Sequence, residues 1–299
     1  MDARLASSQR RDRSVRDHES SRDGRQQVTP GAPVLFVVNP ASAAGKAGRQ
    51  WAQVETWLPS AGIPYETAIT TRPNEATDIT QRAVRESRPV VVAVGGDGTL
   101  NEVVNGFFHN GAPIPTTSKL AMVPLGTGGD FRRTLRIPID PQEAIGVLRT
   151  GVARRLDAGC VTYQAADGST AVGFKNKPMT VGIDNITHQL PKAQQVVIAN
   201  CQFFGGGMQM APTASPTDGV FDVIFIKNAG KIETMRGMND FRAGKHLDQT
   251  NPKIELLYGK RVSVTSPVKV RIDVDGEAVG FLPALFEIQP GSIEFITPR

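Results

Sequence analysis

The hydrophobic positions of the first half of the chain form short apolar runs that alternate with stretches of helical spacing. The runs Val34–Val38 and Val90–Val94 are almost entirely β-branched or apolar, which is typical of strands buried on both faces of a parallel sheet. Two further strands are predicted over Tyr65–Thr70 and Leu120–Val123. Helices are predicted between the strands, over Ala47–Leu58, Glu75–Ser87 and about Leu100–Phe108. This alternation predicts a doubly wound parallel α/β domain.

The pattern changes after Arg154, where polar and apolar residues alternate as they do in half-buried strands. Strands are predicted over Leu156–Tyr163, Thr170–Phe174, Thr180–Ile186, Gln195–Ala199, Val220–Ile226, Val262–Thr265 and Lys269–Val274. Turns are predicted at Asp167-Gly168, Asp218-Gly219 and Asp275-Gly276. A helix is predicted over Ile232–Arg242. The second half therefore reads as mainly β, an antiparallel sandwich or a partly open barrel.

The length of 299 residues fits about two domains at roughly 150 residues each. Residues 1–30 mix Arg, Ser and Asp with almost nothing to bury, which predicts a disordered tail. That tail is either a solvated arm without function or an electrostatic arm for an anionic membrane. We expect the α/β domain over 31–150 and the β-sandwich domain over 151–299, with the boundary near 138–155.

Charge and composition exclude several classes of protein. The net charge is +5, and the first thirty residues contribute +2 of it through seven Arg and five acidic residues. The remaining charge is too weak to indicate a nucleic-acid partner. Two widely spaced cysteines form neither a disulfide framework nor a zinc site, which favours a reducing cytoplasm. Because no apolar run approaches the ~18 residues of a membrane span, any membrane contact is expected to be peripheral, at the inner surface.

Two glycine-rich loops carry the candidate chemistry. The first runs from Gly95 to Asn101 between a buried strand and a helix, and the second runs from Pro124 to Phe131 after the next strand. Such loops expose backbone N–H groups that attract anions. A lone loop of this kind could be a plain tight turn with Asp97 as a helix cap. Two loops at neighbouring strand ends instead indicate one ligand crevice, in which Asp97 is suited to hold Mg²⁺ or to accept a proton.

The sequence does not match two common nucleotide-binding motifs. Neither loop has the G-x-G-x-x-G spacing of dinucleotide oxidoreductases. Gly45-Lys46 is not a P-loop, because Pro40 stands where the first glycine is required and Ala47 replaces Ser or Thr.

The two loop sequences, GGDGTLNEVVNG at Gly95–Gly106 and PLGTGGDF at Pro124–Phe131, resemble the catalytic domain of the diacylglycerol kinase family. The likeness is greatest to bacterial diacylglycerol-kinase-like lipid kinases. Further motifs follow in family order, at Asn39-Pro40, Phe203–Met208, Ala211–Gly219, Gly244–Leu247 and Val274–Glu277. NAD kinases share the GGDGT element and the general fold, but the PLGT loop and the final DGE favour lipid kinases.

The resemblance implies Mg²⁺- and ATP-dependent phosphorylation of a lipid hydroxyl. It places nucleotide contacts on Asn39, Thr70, Gly95, Gly96, Asp97, Gly98, Thr99, Leu100, Asn101 and Thr127. It assigns catalytic roles to Asp97 and Glu277, with Glu277 as the proton acceptor. It also implies a magnesium site at Asp218 that is completed by backbone carbonyls of Ser215 and Val220. The implied partners are ATP and a lipid at the membrane surface, with no nucleic acid; a homodimer is left open.

The sequence departs from the family pattern at two places. Gly129 stands where the family usually carries Asn, so a side-chain amide near the phosphates is missing. Asn176 runs almost directly into Met179, where relatives carry several tens of mainly helical residues. We expect a shortened second domain and a more open cleft. Phe203 and Phe204 either touch a lipid chain or anchor a packed loop.

Three functions therefore compete. The first is a lipid kinase that acts on diacylglycerol or a sphingoid alcohol. The second is a kinase of the same mechanism that acts on another alcohol. The third is a nucleotide- or lipid-binding relative without turnover. The presence of Asp97, Thr99, Thr127 and Glu277 argues against the third, whereas the shortened second domain argues for it.

Overall fold

In a computed structural model of the chain, the structure describes residues 32–126, 129–165, 176–228, 237–247 and 251–299. Several predictions fall outside these residues: the N-terminal tail, the strand over 170–174, the turn at Asp167-Gly168, Thr127 and most of the helix over 232–242. The end of that helix is described and is helical.

The first half alternates strands and helices. Its elements are β1 (Val34–Val38), α1 (Lys46–Trp57), β2 (Tyr65–Ile69), α2 (Glu75–Arg85), β3 (Val90–Gly95), α3 (Asp97–Asn105), the hairpin β4 (Phe108–His109) and β5 (Ala112–Pro113), β6 (Lys119–Pro124), α4 (Asp130–Leu135) and α5 (Pro141–Thr150). Strands β1 and β3 are buried along their whole length, because helices cover both faces of the sheet. Sequence patterning alone predicted neither the small hairpin nor α4 and α5.

The second half is built mainly from long strands. Its elements are β7 (Val152–Ala165), β8 (Lys177–Ile183), β9 (Ile186–Ala199), β10 (Phe221–Lys227), α6 (Met238–Ala243), β11 (Ile254–Gly259), β12 (Arg261–Thr265), β13 (Arg271–Val274) and β14 (Glu277–Thr297). Strand β8 begins at Lys177, directly after the point where the shortening was predicted. Strands β11 and β14 were not predicted.

Among the described residues, twelve strands form one mixed sheet in the order β11-β10-β9-β8-β12-β14-β6-β3-β1-β2, with β7 and β13 paired to β14. Strands β6, β3, β1 and β2 pair in parallel, whereas β8 to β12 pair in antiparallel. The predicted fold class, parallel α/β followed by an antiparallel β-rich half, is confirmed.

Four hydrophobic clusters pack on the sheet. On one face of the parallel strands Phe36 stacks on Trp51, with ring centroids 5.2 Å apart. On the other face Leu100 and Phe295 join the buried cluster. In the antiparallel half β10 is buried on both faces, because Phe225 faces one cluster and Ile224 faces another.

Strand β14 connects the two halves. Its first residues pair with β13, its middle pairs with β12 and β7, and Phe295 pairs in parallel with Leu120 of β6. Phe295 also lies 5.3 Å from the ring of Phe131. Although its start belongs to the antiparallel half, its end packs in the core of the parallel half. The division into 31–150 and 151–299 stays a prediction.

Within the described part of the chain, no helix is long and apolar enough to cross a bilayer.

Candidate active site

Three parallel strands end side by side and place their following turns together. The backbone N–H of Asn39, after β1, donates to Val94 O at 3.2 Å, and the N–H of Leu125, after β6, donates to Gly95 O at 3.0 Å. The Oδ1 of Asn39 accepts the N–H of Ala41 at 3.0 Å, which closes the first turn. The carboxyl ends of parallel strands are where ligands bind in open α/β sheets.

The two glycine turns touch each other through bare backbone. A Cβ atom added to Gly126 would lie 2.4 Å from the Cα of Gly96, a distance that no real side chain tolerates. A Cβ on Gly95 would lie 2.4 Å from Thr99 Oγ1. Both positions therefore require glycine, and their backbone amides share one small volume at the strand ends.

Helix α3 begins at Asp97, three residues before the predicted start. Gly96 is extended and precedes the first turn, which contains Asp97, Gly98 and Thr99. An acidic residue in the first turn is favourable, because the N-terminal end of a helix carries partial positive charge. The predicted loop from Gly95 to Asn101 is thus two glycines followed by a helix N-terminus.

Asp97 joins the first glycine turn to the second. Its Oδ2 accepts the backbone N–H groups of Gly129 and Asp130 at 2.9 and 3.0 Å. Its Oδ1 is buried and has no hydrogen-bond partner among the described residues. The Oδ2 of Asp97 therefore fixes the second glycine turn to the first, while its Oδ1 is available to a ligand.

The other predicted nucleotide-binding residues differ in what they can offer. Thr99 is buried and its Oγ1 lies 3.0 Å from Ser42 Oγ, so it ties α3 to the turn after β1. Thr70 is buried at the end of β2, where its N–H donates to Val38 O at 2.9 Å. The Leu100 side chain is packed in the core, which leaves only its backbone for a ligand. Thr127 lies outside the described residues.

The antiparallel half reaches this site through the hairpin between β13 and β14. The Nδ2 of Asn101 on α3 donates to Asp275 Oδ2 at 2.7 Å, a bond between residues 174 positions apart. Glu277 Oε1 lies 3.6 Å from the position that a Cβ on Gly98 would occupy. Because Asp275 and Gly276 have positive φ angles of 50° and 87°, the turn is tight enough to present Glu277 against the first turn of α3.

The carboxylate of Asp275 faces an unfavourable environment. Burial against the cleft wall raises the pKa of Asp275, the nearby charge of Asp97 raises it further, and the hydrogen bond from Asn101 opposes the rise. The residue as a whole is exposed at the hairpin tip, so it is the carboxylate that is desolvated. Sequence reasoning found this residue as a turn former only.

Cys201 lines the same cleft. Burial raises the pKa of its thiol to about 12, and the charges of Asp275 and Asp97 add to the rise, whereas a hydrogen bond with Thr134 lowers it. The thiol is therefore neutral and unreactive. Cys201 is thus close enough to both Asp275 and Asp97 for their charges to act on its thiol.

The predicted metal residues lie on another loop. Asp218 Oδ1 accepts the N–H of Val220 at 3.2 Å, and Ser215 Oγ lies 3.0 Å from Thr217 Oγ1. An all-oxygen set with one carboxylate fits the donors that Mg²⁺ prefers. No group of three or more His, Cys, Asp or Glu side chains suited to a metal occurs in the part of the chain that the structure describes.

Asp157 anchors this loop, and sequence reasoning missed it. Its carboxylate is buried and accepts the N–H groups of Gly219 and Gly291, both at 2.7 Å. Its own N–H donates to Pro216 O at 2.7 Å. A single Asp in an alternating strand pattern carries no motif, so only the strand's buried position reveals it.

Comparisons with known proteins agree with this architecture. Residues 33–161 match the family model "Diacylglycerol kinase catalytic domain", and residues 147–297 match "YegS C-terminal NAD kinase beta sandwich-like domain". The chain is 28% identical over 295 residues to the diacylglycerol kinase of Staphylococcus carnosus (strain TM300), covering 88% of this chain and 94% of the relative. It is 27% identical over 306 residues to the diacylglycerol kinase of Bacillus subtilis (strain 168), covering 88% and 96%.

A solved structure has the same fold. The crystal structure of a diacylglycerol kinase from Bacillus anthracis str. Sterne superposes with a TM-score of 0.70 at 21% identity, covering 90% of this chain and 98% of the other. The likeness therefore extends through both halves of the chain.

Proposed function

Because this chain belongs to the diacylglycerol kinase family, we propose that it is an ATP-dependent lipid kinase. It transfers the γ-phosphate of ATP to a hydroxyl group of diacylglycerol or a related lipid. The observation that carries this proposal is the meeting of three parts: two glycine turns in backbone contact, the first turn of α3, and Glu277 on the hairpin from the antiparallel half.

The glycine turns provide the phosphate site. Their amides and the N-terminus of α3 attract negative charge, and the absence of a side chain at Gly126 lets a phosphate approach the backbone closely. Asn39 and Thr70, at the ends of the two neighbouring strands, border the same edge of the sheet. ATP therefore lies across the carboxyl ends of the parallel strands.

Glu277 takes the proton of the acceptor. The lipid hydroxyl oxygen forms a bond to the γ-phosphorus, the bond from that phosphorus to the bridging oxygen breaks, and ADP leaves with the bridging oxygen. The hydroxyl proton passes to the carboxylate of Glu277. Such transfers depend mainly on positioning and charge stabilisation, with a positioned base adding about 10²- to 10⁴-fold.

Magnesium fits the cleft at Asp97. The free Oδ1 of Asp97 is a buried carboxylate oxygen without a partner in the described structure, and carboxylates are ligands that Mg²⁺ prefers. When bound with ATP, Mg²⁺ offsets phosphate charge. Asp218, with carbonyls of Ser215 and Val220, is proposed as a second, structural magnesium site away from the reacting atoms.

The acceptor is a lipid that the protein reaches at the membrane surface. Phe204 is partly exposed and pairs with Met208 to close a tight turn. The Gly206 N–H of this turn donates to Asp130 Oδ2 at 2.9 Å. This turn thus borders the second glycine loop and presents an apolar side chain beside it. We place the enzyme in the cytoplasm with transient contact at the inner membrane surface.

Transfer of labelled phosphate tests the proposal. The protein is incubated with γ-labelled ATP and Mg²⁺, together with mixed micelles that contain diacylglycerol, a sphingoid base or neither, and with a panel of water-soluble alcohols. We expect label in diacylglycerol or the sphingoid base. Glu277→Gln should lower the rate about 10²- to 10⁴-fold while ATP binding is kept.

A matched control separates the base from a general charge effect. Glu287 lies on the same strand and pairs with Arg261 at the surface, at 3.2 Å, so Glu287→Gln should transfer at the wild-type rate. ATP binding without transfer to any lipid would refute the lipid-kinase proposal, and label in a water-soluble alcohol alone would identify the other kinase class. Normal turnover by Glu277→Gln would remove Glu277 from the mechanism.

A further inference from the structure

Two adjacent arginines on α4 have different surroundings. Arg133 pairs with Asp130, with Nη1 and Oδ1 2.8 Å apart, and its guanidinium packs over Gly207. Arg132 makes no side-chain hydrogen bond or ion pair with any residue that the structure describes. Its charge is only half-exposed and is not balanced by a carboxylate within bonding distance.

The side chain of Arg132 folds back over Gly129. Its Nε, Cδ and Cγ lie 2.8, 3.1 and 3.2 Å from the position that a Cβ on Gly129 would occupy. Helical side chains lean toward the N-terminus of their helix, which brings Arg132 to this place. Gly129 has a φ of +83° and no side chain, so Arg132 fills the space that a residue-129 side chain would take.

This position is the phosphate site itself. The N–H of Gly129 is bonded to Asp97 of the first glycine turn, and Gly126, three residues earlier, touches Gly96. Arg132 therefore lies against Gly129 of the second turn, and Gly129 is itself bonded to Asp97 of the first turn.

A cation in this setting needs an anion. Asp130 on the same helix pairs with Arg133, and Asp97 accepts two backbone amides with its Oδ2 and makes no ion pair with Arg132. A polyphosphate in the glycine turns would supply the missing negative charge. A guanidinium suits this role, because its fixed donors match two phosphate oxygens at once.

We propose that Arg132 binds the polyphosphate chain of the nucleotide and replaces the amide that Gly129 does not supply. This inference rests on the proposed nucleotide site and adds to it a specificity residue for the phosphates. Arg132 and Gly129 act as one unit, since the glycine leaves the room that the arginine uses.

Nucleotide binding tests this role without depending on transfer. ATP, ADP and adenosine are titrated into the wild-type protein, Arg132→Ala and Arg132→Lys, at low and at moderate salt. We expect Arg132→Ala to weaken ATP binding about 10- to 100-fold, the range for a lost hydrogen bond to a charged group. Adenosine affinity should not change. Arg132→Lys should recover part of the loss, and the salt dependence of ATP binding should be smaller without Arg132.

Two further variants control the experiment. Arg136→Ala removes an exposed guanidinium from the other end of α4 and should bind ATP as the wild type does. The double variant Gly129→Asn with Arg132→Ala restores a side-chain amide in the vacated space and should bind ATP more tightly than Arg132→Ala alone. Thermal unfolding confirms that each variant is folded.

The outcomes distinguish this inference from the proposed function. Equal ATP affinity of the wild type and Arg132→Ala overturns the inference, as does an equal loss of adenosine affinity, which would show a structural role. A wild type that binds no ATP overturns both. A wild type that binds ATP and transfers nothing refutes the kinase proposal alone, while the Arg132 comparison still decides the inference.

Discussion

The parallel and antiparallel regions contribute to the site by different means. The parallel region contributes mainly backbone: Gly95 and Gly126 lie so close to Thr99 and Gly96 that no side chain fits at either position. The antiparallel region contributes side chains, the carboxylates of Asp275 and Glu277, on one hairpin. A phosphate is recognised by amides that any sequence possesses, whereas proton transfer needs a particular functional group. Function in the parallel region is therefore sensitive to added atoms, whereas function in the antiparallel region is sensitive to replacement of a carboxylate.

The largest effect should come from adding one methyl group to the parallel region. Gly126→Ala would place its Cβ 2.4 Å from the Cα of Gly96. Because the Cβ is fixed rigidly to its own Cα and the atom it meets is backbone, neither can rotate away, so the turns must separate, with an overpacking cost of about 1–3 kcal/mol. We expect ATP affinity to fall more than about 100-fold, equivalent to roughly 3 kcal/mol, in a binding titration, together with a lower melting temperature.

Gly96→Ala is the matched control for this change. It adds the same methyl group on the facing turn, but there the Cβ would lie 3.5 Å from the Cα of Gly126, an ordinary contact. Its φ of −98° is open to any residue. If Gly126→Ala bound ATP as well as Gly96→Ala does, close backbone contact would not be the basis of the site.

An intermediate effect should come from the buried carboxylate that anchors the antiparallel region. Asp157→Ala leaves the N–H groups of Gly219 and Gly291 without their acceptor. Hydrogen bonds to charged groups contribute about 1.5–3 kcal/mol each, so the loss of two should lower the free energy of unfolding by about 3–6 kcal/mol. Urea unfolding measures the change.

Asp184 offers a comparison that differs in burial. Its Oδ1 also accepts two backbone N–H groups, those of Lys260 and Arg261, both at 3.0 Å, but the residue is exposed. Water can replace those bonds, so Asp184→Ala should cost less than about 1.5 kcal/mol. Equal losses from the two variants would show that burial does not set the strength of the Asp157 anchor.

The smallest effect should be a change in pH dependence. The pKa of Asp275 is raised in the folded protein, so the native state binds a proton over a range in which the unfolded state has lost it. Stability contributed by this group should therefore fall as pH rises from the ordinary Asp pKa, about 4, through the raised value. Asp275→Asn should remove this slope from unfolding curves measured across that range.

Asp273 provides the control on the same hairpin. It pairs with Arg271 at the surface, at 3.3 Å, so Asp273→Asn should retain the slope that Asp275→Asn removes. The assigned direction would be contradicted if the stability of the wild type rose with pH over this range and that rise were absent in Asp275→Asn.

The sequence predicted the parallel region well because each signal there is local. The bounds of β1 match the prediction, and β2, β3 and β6 differ from theirs by a residue or two. Strands β1, β3 and β6 are buried along all or nearly all of their length, so the apolar run and the strand coincide. The glycine turns were also found from sequence, since Gly95 ends β3 and Gly126 comes one residue after the end of β6.

The longest strand escaped prediction for a local reason. Strand β14 contains Gly280, Pro283, Pro290 and Gly291, which in sequence look like turn residues. In the structure they coincide with shifts of pairing register between Phe281 and Ala284 and between Gln289 and Ile293. The strand bends at bulges and continues, because β7 follows it on one side along nearly its whole length.

The position of the Arg132 side chain and the environment of the Asp275 carboxylate escaped prediction because they depend on the folded structure. Nothing near Arg132 in sequence shows that its side chain lies over Gly129 and makes no ion pair with a described residue. The environment of Asp275 depends on Asn101, 174 positions away. Contacts of this kind follow only from the folded arrangement of the chain.

The path of β14 sets the order in which the protein can be completed during synthesis. The ribosome releases the parallel strands first, and domains generally begin to fold as they emerge. Yet the β6 edge stays open until the segment around Phe295, which pairs with Leu120, has been made. An unpaired edge strand invites association with other chains. The nascent α/β region therefore exposes this edge until that segment has been made, and the same strand that covers the edge brings Glu277 to the candidate site.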